Sequence, residues 1–88
     1  MHKIKTAVLI SGRGSNMMAI LKATQNYNYP AKLDIVISNK PSAEGLKKAE
    51  EFGIKTVALD HKAYKNRYEF EKDLDTHLRA SKIQIVCC

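Results

Sequence analysis

Cysteine is scarce in this 88-residue chain: only Cys87 and Cys88, side by side at the C-terminal end. Adjacent strand residues point to opposite faces, and both are expected to pack as small buried apolar residues, as free cysteine commonly does. Metal ligands are equally sparse. His2, His61 and His77 are scattered, with neither a C-x-x-C nor an H-x-x-x-H spacing, so no metal site is expected. Long apolar runs are missing. No segment reaches the roughly 18–20 consecutive apolar residues of a membrane span. The opening "MHKIKTAVLISGRG" lacks the longer apolar run and cleavage site of a signal peptide. With few cysteines and no targeting segment, the expected location is the cytoplasm. Acidic residues are in deficit, 9 against 15 basic, which leaves a net charge of +6. That favours anionic ligands without choosing among them. The lysines are spread along the chain and aromatics do not alternate with them, which argues against a nucleic-acid partner. There is no linker, low-complexity stretch or repeat, so residues 1–88 read as one domain. A chain this short buries only about 60–65% of its unfolded surface, and its core is marginal.

What is present is an alternation. Four short apolar runs, Ile4–Ser11, Leu33–Ser38, Ile54–Leu59 and Lys82–Cys88, read as strands; the first two are nearly continuous in apolar character, as in strands covered on both faces. The third alternates more and suits an edge. Between them lie three amphipathic runs. The first has Met17, Ile20 and Leu21 on one face and ends near Gln25, with Ser15 or Asn16 as cap. The second follows Pro41, with Ser42 as cap, Ala43, Leu46, Ala49 and Phe52 on one face, and Gly53 just past its end. The third starts near Asn66 or Arg67, repeats Phe70, Leu74 and Leu78, and carries Glu69, Glu71 and Asp73 early, where the helix dipole favours acids. His77 is expected at its surface.

The order β-α-β-α-β-α-β argues a parallel sheet with right-handed crossovers. In a doubly wound sheet, the second and third strands lie to one side of the first and the fourth crosses to the other. Ligands then bind at the carboxyl ends between strands one and four. "SGRGSN", Ser11–Asn16, sits there. A strand-to-helix turn offers unpaired N–H groups and the positive end of a helix dipole to an anion. Gly12 and Gly14 allow positive φ and close approach of a ligand. Ser15 adds a hydroxyl and Asn16 an amide, which together suit a phosphate monoester; the same groups could serve only to turn the chain and cap the helix.

The spacing G-x-G-x-x-M puts Met17 where a dinucleotide fingerprint has glycine or alanine. Strand two ends in Ser38-Asn39-Lys40, without the carboxylate that holds the ribose of NAD. Lys40 would suit a 2′-phosphate, so an NADP-binding domain stays open, as does a non-catalytic phosphate-binding module. No G-K-[ST] occurs, which excludes a Walker A loop.

"VLISGRGSN", then "VISNKPSAEGLKKAEEFGI", then "NRYEFEKDL" resemble the N-terminal half of the phosphoribosylglycinamide formyltransferase family (glycinamide ribonucleotide transformylases), over essentially the whole chain. The resemblance implies a Rossmann-like three-layer α/β fold, truncated here, in a cytoplasmic enzyme about twice this length. Its reaction moves a formyl group from 10-formyltetrahydrofolate to the amine of glycinamide ribonucleotide in purine biosynthesis. By resemblance, Gly14, Ser15 and Asn16 bind the ribonucleotide phosphate and Arg67 approaches the folate; judged without it, Arg67, like Lys62 and Lys65, is a solvated cation. Arg13 departs from the smaller polar residue of the family pattern, and either points to solvent or adds positive potential near the phosphate. The family's catalytic asparagine, histidine and aspartate all lie beyond strand four. None of His2, His61 or His77 matches them, so no residue of this chain is expected to be catalytic. The outer edge of strand four invites self-association.

Overall fold

The computed structural model describes residues 3–12 and 14–87. His2, Arg13 and Cys88 lie outside them. The elements run β1 (Ile4–Ile10), α1 (Ser15–Thr24), β2 (Ala31–Ser38), α2 (Glu44–Glu51), β3 (Lys55–Ala58), a short 3-10 turn (His61–Ala63), α3 (Arg67–Ala80) and β4 (Ile85–Cys87). All strand pairings are parallel, in the order β3-β2-β1-β4. The sheet therefore reverses direction at β1, as the alternation predicts, and the more alternating third run is an edge strand.

Each face of the sheet is covered by its own helices. Val8 and Val36 pack with Met17 and Leu21 of α1 and with Leu46 and Ala49 of α2. Ala7, Ile35 and Ile37 face the other way, toward Phe70, Leu74 and Leu78 of α3. Two helices thus serve the steps β1 to β2 to β3, and the third serves the return to β4 on the opposite face. Reversing both direction and face keeps the hand of the crossovers constant.

One irregularity makes this two-faced packing possible. Thr6 pairs with Leu33, but Ala7 pairs with Ile35, so Asp34 is an extra residue in β2. Strict alternation from Leu33 would send Ile35 to the same face as Leu33. The bulge shifts the phase by one. Leu33 and Val36 then face α1 and α2, while Ile35 and Ile37 face α3. The Asp34 carboxylate lies 3.5 Å from Lys5 Nζ and 3.4 Å from Lys32 Nζ, half-exposed pairs of the kind that add little stability.

Several helix ends differ from expectation. α1 begins at Ser15 with Gly14 in the cap position, and neither Ser15 nor Asn16 caps it. Ala43, not Ser42, precedes α2, without a side-chain cap. Ala43, Leu46 and Ala49 are buried, but Phe52 is 51% exposed because it falls at the C-cap, beyond the packed turns. Gly53 follows with φ 74, the left-handed residue that ends many helices. Asn66 caps α3 as expected, its side chain accepting the Glu69 N–H at 2.9 Å. After α3, Lys82 takes φ 55 and turns the chain, so β4 starts at Ile85 rather than Lys82. β4 is correspondingly short. Cys87 is only partly buried, against the α1 face, rather than fully packed.

Candidate phosphate cradle and groove

The carboxyl end of β1 leads through Ser11 and Gly12 to Gly14, which has φ 74 and ψ 34. Gly12 does not share that conformation; of the two glycines only Gly14 needs a left-handed backbone. The Gly14 carbonyl accepts the first helical bond, from Met18 N–H at 2.8 Å. The N–H groups of Ser15, Asn16 and Met17 belong to the first turn and have no intrahelical acceptor. In α3 such donors meet a side-chain cap and an acid, Asn66 and Glu69, and α2 has Glu44 in its first turn. The first turn of α1 has neither a side-chain cap nor an acidic residue. The Ser15 and Asn16 donors, both on exposed residues, and the positive end of the dipole therefore face open space. That space is a cleft of about 310 Å³ lined by Ser11, Gly12, Gly14, Ser15 and Asn16 over an apolar floor that includes Met17 and Ile20. Ser15 and Asn16 are exposed and free to reach an anion there.

Met17 is fully buried. Its Cε lies 3.4 Å from the point a Gly14 Cβ would occupy, so it packs the underside of the turn where a dinucleotide fingerprint carries a smaller residue.

Arg67 stands across the sheet, on the first turn of α3. Its side chain is 89% exposed and its Nε lies 2.9 Å from Glu71 Oε1. With Tyr64, Asn39 and Phe70 it lines a groove of about 610 Å³. A second hollow continues that groove over Leu9, Ser11 and Asn39, and Leu9 and Ser11 also belong to the cradle. The residues singled out from the sequence thus lie in separate hollows, Gly14–Asn16 in the cradle on the α1 face and Arg67 in the groove on the α3 face, with the second hollow sharing lining residues with both. Lys62 and Lys65 are exposed as expected, and Lys40 is exposed in the β2–α2 loop. His77 is half-buried rather than a plain surface residue, with Nε2 3.9 Å from Asp73. Among the described residues no group of three or more possible metal ligands occurs, and no helix is long and apolar enough to cross a membrane.

Tyr64 was not singled out by any sequence pattern. Its hydroxyl donates to Asp73 Oδ2, and its ring meets Phe70 edge-on at 5.4 Å. These contacts tie the loop before α3 to the helix and shape the wall beside Arg67. The Asp73 hydrogen bond, with burial and the carboxylate's own charge adding to it, holds the Tyr64 phenol above its ordinary value. A raised folded-state value means that the contact stabilises the fold fully below about pH 10, the ordinary phenol value, and loses that contribution as pH rises through the higher folded value. In an ultraviolet titration at 295 nm, one of the four tyrosines is expected to ionise after the others. Tyr64→Phe should remove that last phase; its persistence would refute the assignment.

Residues 4–88 match the family model described as formyl transferase. The chain belongs to the formyl transferase family. This formyl transferase chain is 51% identical over 85 residues to the trifunctional purine biosynthetic protein adenosine-3 of Homo sapiens, covering 97% of itself and 8% of that protein. It is 33% identical over 82 residues to phosphoribosylglycinamide formyltransferase of Bacillus subtilis, covering 93% of itself and 42% of that protein. The crystal structure of phosphoribosylglycinamide formyltransferase from Brucella melitensis superposes with a TM-score of 0.94 at 35% identity, over 97% of this chain and 44% of that one. The chain thus spans less than half the length of each of these proteins. The likeness favours a formyl transferase over an NADP-binding domain or a non-catalytic phosphate-binding module.

Proposed function

We propose that this chain is the N-terminal, nucleotide-phosphate-binding half of a phosphoribosylglycinamide formyltransferase domain. Its cradle takes the phosphate of glycinamide ribonucleotide at Gly14, Ser15 and Asn16: the exposed Ser15 and Asn16 N–H groups donate to the phosphate oxygens, and the Ser15 hydroxyl and Asn16 amide add to them. Arg67 contacts the co-substrate, 10-formyltetrahydrofolate, whose formyl group goes to the ribonucleotide amine in purine biosynthesis. The observation that carries this reading is the first turn of α1, where exposed donors face a cleft without a cap or an acid. No residue of this chain is assigned to the transfer step itself. The same proposal places the protein in the cytoplasm, excludes a nucleic-acid or membrane partner, and expects self-association through the outer edge of β4, where Ile85 and Val86 are exposed.

Nuclear magnetic resonance tests the phosphate role directly. On titration with glycinamide ribonucleotide, the amide signals of Gly14, Ser15 and Asn16 should shift and saturate. In the presence of both substrates, the 88-residue chain should produce no formylated ribonucleotide. Unmoved loop amides at millimolar ligand would refute the phosphate role, and measurable turnover would overturn the assignment of catalysis to residues outside this chain.

A further inference from the structure

The cradle rests on a second helix. The Gly45 N–H, in the first turn of α2, donates to the Gly12 carbonyl at 3.3 Å. That donor has no acceptor within its own helix, and the β1–α1 loop supplies one. The backbones also approach closely: a Cβ built on Gly14 would stand 3.1 Å from the Gly45 Cα. Gly45 is buried but does not line the cleft. Glycine is a poor choice on helix-forming grounds, since alanine is better in a helix, so its presence at this contact calls for a steric reason.

We propose that Gly45 is a positioning residue for the phosphate cradle, clamping Gly12 through its N–H and, as a glycine, letting its Cα come close to the Gly14 backbone. The inference rests on the phosphomonoester role of the cradle and adds a residue outside it. With the loop held at Gly12 and Gly14, the Ser15 and Asn16 donors keep one direction before the ligand arrives, which reduces the ordering that binding requires. The amino end of α2 also lies at the loop, so its partial positive charge adds to that of α1.

Gly45→Ala separates this role from a structural one. It keeps the N–H and raises helix propensity, so a merely structural glycine predicts equal or higher thermal stability and unchanged ligand affinity. The positioning role predicts displaced Gly12 and Gly14 amide signals and at least tenfold weaker binding of ribose 5-phosphate by calorimetry. A variant with unchanged affinity and unmoved loop amides overturns the inference while leaving the phosphate role intact. A wild-type chain that does not bind ribose 5-phosphate overturns both. Should Gly45→Ala fail to fold, hydrogen exchange in the wild type decides. Saturating ribose 5-phosphate should slow exchange of the Gly45 N–H several-fold, although Gly45 does not touch the ligand. An unchanged Gly45 rate alongside slowed Ser15 and Asn16 rates overturns the inference.

Discussion

Gly14→Ala is expected to lower glycinamide ribonucleotide affinity by about a hundredfold or more. The backbone at Gly14 has φ 74, a conformation that costs a residue with a Cβ roughly 1–2 kcal/mol. The new methyl would also stand 3.1 Å from the Gly45 Cα, a backbone atom that cannot swing aside, and 3.4 Å from Met17 Cε. The loop must therefore rotate, and rotation turns the Ser15 and Asn16 N–H groups away from a bound phosphate. Hydrogen bonds to a charged group contribute about 1.5–3 kcal/mol each, and two of them lost or bent exceed the roughly 2.7 kcal/mol that separates a hundredfold change. Calorimetric titration with the ribonucleotide checks the size of the effect, and circular dichroism confirms that the variant is folded. Affinity within threefold of wild type would show that the amides do not hold the phosphate.

The largest effect on stability is expected from Leu21→Ala. Leu21 is fully buried beside Met17, Val8 and Val36. Truncation of such a residue costs about 2–5 kcal/mol. For 88 residues the whole stability is on the order of 4–13 kcal/mol. Thermal unfolding followed by circular dichroism should show a midpoint lowered by roughly 10–30 °C, and a drop below about 5 °C would refute the packing described here. Leu78→Ala should cost less. No residue of α3 is fully buried, so that helix loses fewer contacts on truncation and has more freedom to relax around the gap.

The architecture was legible because it depends on periodicity. Near-continuous apolar runs and helical spacing located all seven major elements, and the parallel β-α alternation implied the reversal at β1. What escaped depends on backbone geometry. Ser15, Asn16 and Ser42 are good capping residues, yet α1 starts one residue after a left-handed glycine and α2 starts beyond Ser42. Phe52 fits the apolar face of α2 by spacing and is exposed because the helix has already ended. Residues 14–16 and Arg67 were legible as site candidates because a motif and a family resemblance mark them. Gly45 lies in a stretch that carries the resemblance but receives no role from it, and Tyr64 lies outside those stretches. Each acts through contacts with residues far away or across a loop, Gly12 and Gly14 or Phe70 and Asp73, and neither spacing nor composition registers such contacts.

The extra residue at Asp34 has a consequence for how this sheet tolerates change. It divides β2 into two stretches with independent phase. Ala31–Leu33 match Ile4–Thr6, while Ile35–Ser38 match Ala7–Ile10, the stretch that leads into the cradle. A disturbance at the far end of the sheet, around Tyr27–Pro30, can be absorbed at this joint before it reaches Ser38 and Asn39. The bulge works as an expansion joint: the stretch of β2 beside the groove takes its alignment from Ala7–Ile10 and not from the phase of Ala31–Leu33.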